Sequence, residues 1–209
     1  MDHARSGDGR RTASTDRVIA RRPSSKGKAC SRSSRPRTRK RPHHVAAGDE
    51  LIALADVVMD RAFSMPAPPL QVWPWLAQLG KRRAGWYLPA GLERFLPASR
   101  RAAWEIHDRW QHLEVGDSVP DYGGKNETFR LAHIEPPTSI VYTSQRGATK
   151  VTWSITLEPA GAGTRVFLRL RMAPVRHRWL AETAGELIDV LTIAAMATGL
   201  RQRLSARSM

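Results

Sequence analysis

His133 and the tyrosine hydroxyls are the side chains of this sequence best suited to holding or moving a proton at a bound molecule. Simple alternation puts His133 on the strand face of Phe129 and Leu131. It therefore reads either as a pocket base whose pKa burial would lower, or as a core histidine with satisfied hydrogen bonds. His107, Asp108 and His112 lie close together, but their spacing matches no zinc motif, and a solvated or capping role suits them better. Asp121, Glu127 and Glu158 stand near strand ends with no second carboxylate placed beside them, so no acid/base pair is assigned. There is no Gly-rich phosphate loop after a strand and no Gly-x-Ser-x-Gly elbow. The single cysteine, Cys30, excludes an intrachain disulfide and a multi-thiolate metal site. No metal or cofactor is expected.

The elements that must position these residues follow from periodicity. Val57 to Met65 has the alternation of a first strand; Pro66, Pro68 and Pro69 end it. Pro69 to Leu79 reads as a helix with Val72, Leu76 and Leu79 on one stripe, stopped at Gly80. Lys81 to Leu113 is mixed, with a short helix at Leu88 to Leu96 and irregular chain around Trp104 and Trp110. Strands are expected at Ser118 to Tyr122, Thr128 to Ile134, Ser139 to Gln145, Lys150 to Glu158 and Thr164 to Met172. The links between them are short and turn-rich, which favours antiparallel pairing in sequence order. In the last pair Val151, Trp153, Ile155 and Leu157 share a face, as do Val166, Leu168, Leu170 and Met172, opposite a polar face bearing Arg165, Arg169 and Arg171. A closing helix spans His177 to about Ser205. Its apolar stripe is read as Leu180, Ala184, Leu187, Leu191, Ala194 and Thr198, with Arg201 and Arg203 complementing the dipole at its end.

Charge divides the chain in two. Of its 34 basic and 19 acidic residues, 14 and 3 fall in Met1 to Gly48, so most of the net +15 belongs to that segment. It has no aromatic residue and no periodicity, so residues 1–48 read as a disordered basic leader ahead of one domain, 49–209. No apolar run marks it as a secretory signal, and Leu187 to Leu200 is too short and interrupted to be a transmembrane segment. The predominance of Arg over Lys suggests bacterial coding, and a cytoplasmic location is expected. The run Arg35 to Arg41 could attract nucleic acid or an anionic surface, but it lacks the interleaved aromatics that stack on bases. An inert leader is the preferred reading, or an absent one, since Val45 could serve as the initiation site.

The order strand, helix, irregular segment, antiparallel strands, long helix resembles the START-like, Bet v 1-like superfamily (SRPBCC), which includes bacterial polyketide cyclase/dehydrase and lipid-transport proteins. The resemblance rests on Arg61-Ala62-Phe63-Ser64-Met65 with Ala67-Pro68-Pro69, on Val72-Trp73-Pro74-Trp75-Leu76-Ala77-Gln78-Leu79-Gly80, and on Gly85-Trp86-Tyr87. Trp110-Gln111 with Val115-Gly116-Asp117, Thr152-Trp153 leading to Leu157-Glu158-Pro159, and Gly185-Glu186-Leu187-Ile188-Asp189 complete it. The segment after Tyr87 departs from the pattern, running Leu-Pro-Ala-Gly-Leu-Glu-Arg-Phe-Leu. The resemblance implies an α+β helix-grip fold, a curved antiparallel sheet wrapped around the C-terminal helix, with a wedge between them that could take a small hydrophobic ligand. Trp86, Tyr87, Trp104, Trp110, Tyr122, Tyr142 and Trp153, with His133, are the candidate lining; each aromatic could instead be ordinary core. Three functions follow: a soluble binding protein for a small hydrophobic or amphipathic molecule, a cyclase- or dehydratase-like enzyme using His133 or a Tyr hydroxyl in the same cavity, and an interaction protein acting through the leader.

Overall fold

A computed structural model of the protein describes residues 46–121, 126–175 and 186–207. The expectations for the leader, for Tyr122 and for the chain from His177 to Gly185 fall mostly or wholly outside these residues. Six strands form one antiparallel sheet: β1 (Val57–Met65), β2 (Ser118–Pro120), β3 (Thr128–Glu135), β4 (Ser139–Arg146), β5 (Thr149–Ala160) and β6 (Gly163–Ala173). Their order is β1-β6-β5-β4-β3-β2. β2 to β6 thus make a meander of neighbours, and β1 adds to the far edge by pairing with β6. The sheet is curved and unclosed, and the C-terminal helix packs against it, an α+β helix-grip architecture.

Among the described residues three helices accompany the sheet: α1 (Pro69–Ala77), α2 (Ala90–Glu93) and α3 (Glu186–Arg207). Pro69 suits the first turn of α1, where a missing N–H leaves no bond unmade. Val72, Trp75, Leu76 and Leu79 from this region enter the core with Phe63, Leu131, Ile140, Ile155, Leu157, Val166 and Leu168. This set defines the inner face of the sheet.

The closing helix uses a different face from the one expected. Leu191 is 62% exposed, and Ala194 and Thr198 are exposed too, whereas Ile193, Met196, Ala197, Leu200 and Leu204 are buried. Both sets have helical spacing, so periodicity alone does not choose between them. Close approach chooses: a Cβ on Gly199 would collide with the carbonyl oxygens of Leu88 and Tyr87, so only a glycine lets the two segments meet. Arg203, read from the sequence as complementing the dipole at the helix end, is fully buried on the same side.

The outer face of the sheet is also not simply solvated. A single 3₁₀ turn, Asp49–Ile52, lies across it, held by Arg169 Nη1 to Asp49 Oδ2 at 2.6 Å and by Arg171 donating to the carbonyl of Ile52. Arg169 also bonds Asp60, and that hydrogen bond is the main reason its pKa is raised. Gly48 opens the turn at φ 89°, and a Cβ there would approach Val141 Cγ1 to 2.5 Å. A Gly48→Ala replacement is expected to cost about 1–3 kcal/mol, from left-handed strain and overpacking together. Urea unfolding measures it; a change below a few tenths would show that the turn is not docked as described.

Candidate functional site

The inner face carries a continuous aromatic wall. Trp153 on β5 lies 5.8 Å, centroid to centroid, from both Tyr142 on β4 and Phe129 on β3, and 6.3 Å from Trp86 in the loop before α2. Cross-strand pairing explains it: Leu131 faces Tyr142, Tyr142 faces Trp153, and Trp153 faces Leu170. Trp86 joins from outside the sheet and donates its Nε1–H to the carbonyl of Thr192, tying its loop to α3. Trp153, Leu170, Met172 and Trp86 are only half-buried although all face inward. Part of this apolar surface is therefore not covered by the described residues on the concave side.

One end of the wall is polar. Tyr142 is 2% exposed, and its hydroxyl, like that of Ser144 two residues on, is buried with no hydrogen-bond partner. Arg146 continues the inner-facing row, pairs with the buried carboxylate of Asp121, and lies 5.7 Å from the Phe129 ring centre. Arg83, from the turn after α1, sends Nη2 to the carbonyls of Ala77 (2.9 Å) and Trp110 (2.8 Å). Burial lowers the pKa of Arg83, opposed by the nearby Tyr142, Asp117 and Tyr87. Burial likewise pushes the Tyr142 phenol up to about 12, with Arg83 pulling the other way. At neutral pH Tyr142 is a proton donor rather than a phenolate. An unsatisfied buried hydroxyl costs roughly 1–3 kcal/mol, so two on one wall call for an explanation.

The structure thus brings together Trp86, Tyr142 and Trp153, and reaches Trp110 through the Arg83 bond. It places the others elsewhere. His133 is on the outer face: the β3–β4 register shifts between Leu131 and His133, so His133 pairs with Val141 and not with the inner row. Its Nε2 lies 3.1 Å from Ser139 Oγ, and the side chain is half-exposed. The β-bulge inverts the parity that strict alternation assumes. Tyr87 is fully buried and satisfied, donating to the carbonyl of Trp75 (2.8 Å) and accepting from Gln78 Nε2 (3.1 Å). Trp104, 43% exposed, and Tyr87 flank the Arg203 guanidinium, whose carbon lies 4.3 and 4.9 Å from their ring centres. Arg203 Nη2 bonds Glu93 Oε1 at 2.6 Å, and Trp104 donates to the other oxygen of Glu93. Trp110 packs edge-on against His107 with Arg109 over its ring. Tyr122 lies outside the described residues. His112 and Asp108 form an exposed contact at 3.2 Å. Among the described residues no cluster of His, Cys, Asp and Glu could hold a metal ion.

Sequence reasoning missed Phe129, Ser144, Arg83 and the Asp121–Arg146 pair. The alternation of Tyr142, Ser144 and Arg146 along one strand was the available signal for two of them. It also missed a cavity of about 470 Å³ on the outer side of the sheet, lined by Ile52, Thr128, Arg130, Thr143, Lys150 and Thr152 among others.

Solved structures with a similar chain course share little sequence. A protein from Mesorhizobium loti is 15% identical, with 72% of this chain and 98% of that one covered at a TM-score of 0.46. One from Rhodobacter sphaeroides is 17% identical over 73% and 94%, TM-score 0.47. One from Nitrosomonas europaea is 15% identical over 73% and 96%, TM-score 0.47. No curated protein matches the sequence. The family model described as polyketide cyclase / dehydrase and lipid transport matches residues 56–206, from the first strand through the closing helix and so well over half the chain. This chain belongs to that family.

Proposed function

We propose that the chain binds a small hydrophobic or amphipathic molecule against the inner face of the sheet, beside α3. The observation that carries this reading is the aromatic wall, with Trp153, Leu170, Met172 and Trp86 all inward-facing yet only partly buried. Inward apolar surface left open within a fold is a ligand-binding signature. The outer cavity suits such a molecule less well, because Arg130, Lys150 and three threonines line it. Tyr142 Oη and Ser144 Oγ are the donors on this wall that a ligand oxygen would satisfy. Neither atom is solvent-accessible, so contact with them requires a neighbouring ring to move.

The test uses an anilinonaphthalene sulfonate probe and the tryptophan emission it quenches. Trp153→Ala and Leu170→Gln should each weaken probe binding by roughly tenfold, about 1.4 kcal/mol. Thr143→Val, on the outer face, should leave it unchanged. Equal affinity in all three would sink the proposal. Native mass spectrometry of the purified chain then shows whether a molecule is retained.

A cyclase- or dehydratase-like activity is the second reading, favoured by one observation: the Tyr142 phenol stays protonated to about pH 12 and could donate to an oxyanion developing on a substrate. Turnover of a poly-β-keto thioester that is lost in Tyr142→Phe but kept in His133→Ala would support it. Retained turnover in Tyr142→Phe removes the assignment.

A further inference from the structure

The segment after Tyr87 builds a surface that neither the aromatic wall nor the sheet requires. α2 and the turn after it present Leu92, 52% exposed, and Phe95, 73% exposed, three residues apart on one side of a helical turn closed by Phe95 N–H to the Leu92 carbonyl. Arg94, Arg100 and Arg101 belong to the same short segment, all exposed. Arg94 stacks over the Phe95 ring at 4.7 Å, and Arg101 reaches back to the carbonyls of Leu96 and Arg94. Among the described residues none of the three pairs with a carboxylate. The only acid between Leu88 and Trp104 is Glu93, and it is turned inward to Arg203.

That inward anchor separates this surface from a loose loop. Glu93 holds Arg203 and Trp104, Gln202 caps the Ala90 N–H, and Arg203 also takes the carbonyls of Leu88, Ala102 and Ala103. A buried ion pair and five further bonds fix a short segment whose outward side chains are apolar and cationic. Exposed large apolar groups in one segment with basic ones match the chemistry of an anionic membrane interface, where rings and aliphatic chains enter the acyl boundary and guanidinium groups meet the headgroups.

We propose that Leu92 and Phe95, with Arg94, Arg100 and Arg101 of the same segment, dock this chain on the surface of an anionic lipid bilayer. The proposal is independent of what the inner face binds. The full chain is mixed at physiological salt with vesicles of phosphatidylcholine alone or with phosphatidylglycerol, with and without brominated acyl chains. Binding should require the anionic lipid, and bromine should quench part of the tryptophan emission, since Trp104 lies beside the patch. Leu92→Ser/Phe95→Ser should abolish the quenching and weaken partitioning by roughly tenfold or more. Arg94→Gln/Arg100→Gln should weaken it by roughly fivefold per arginine. All four side chains are exposed, so unchanged circular dichroism and melting are expected. Vesicle binding unaffected by Leu92→Ser/Phe95→Ser would assign attachment to the basic leader and overturn the proposal. So would a wild-type dimer that the same variant dissociates in sedimentation velocity without any loss of lipid binding, which would make the patch a contact between copies.

Discussion

Replacing Arg203 by Leu should lower the unfolding free energy by about 3–5 kcal/mol, the largest single-residue effect expected in this protein. The guanidinium has no exposed surface, and its partner Glu93 is 4% exposed. Removing one member leaves the other charged group buried and unpaired in a site walled by Tyr87 and Trp104. Glu93→Leu alone should be about as damaging, because the stranded guanidinium then keeps only backbone carbonyls. The double replacement should recover most of the loss, since two apolar groups leave no stranded charge. Urea unfolding of the two singles and the double measures this. If Arg203→Leu costs under 1 kcal/mol, the pair is not the buried anchor described. The same variants probe the docking surface: α2 would lose its tether, so lipid partitioning should fall alongside stability in Arg203→Leu.

What the sequence showed and what it concealed divide along a physical line. β1 runs over the residues its alternation marks, and the β5 and β6 core faces are the ones read from Val151 to Leu157 and Val166 to Met172. These strands alternate without interruption, so local pattern and tertiary position agree. Where a non-local contact decides, the pattern fails. The His133 side chain is turned outward by a bulge that nothing in Thr128 to Glu135 announces. The buried face of α3 is selected by Gly199 against Leu88 and by Arg203 against Glu93, contacts spanning more than a hundred residues. Arg169 and Arg171 look like a solvated strand face until the Asp49–Ile52 turn lies on them. Tyr87 and Trp104 belong to the Arg203 cage for the same reason, so residue type alone could not separate them from Trp86 and Trp153. The wall itself was half legible, because Tyr142 and Trp153 follow from strand parity, whereas Phe129 enters only through the register between three strands.

Tyr142 makes the second large prediction. Its phenol titrates near 12 when folded, against 10.0 for an unperturbed group, chiefly because burial disfavours the phenolate. Between those values the unfolded chain loses the proton first, so the native state holds more protons and stability falls as pH rises. The stabilisation is complete below pH ~10 and is lost as pH rises toward ~12. Unfolding free energies of wild type and Tyr142→Phe, taken across that alkaline range, should therefore diverge, with the variant losing less. Parallel curves would mean that the hydroxyl is solvated in the folded state. Near pH 7 the variant should be equally stable, or more stable by about 1 kcal/mol, since it removes a buried donor that has no partner. Under the proposed reading this hydroxyl, which has no hydrogen-bond partner, meets an oxygen of the bound molecule. The variant should therefore be the sturdier protein and, where a ligand's oxygen meets that hydroxyl, the weaker binder. The two readouts moving in opposite directions would separate a functional hydroxyl from a structural one.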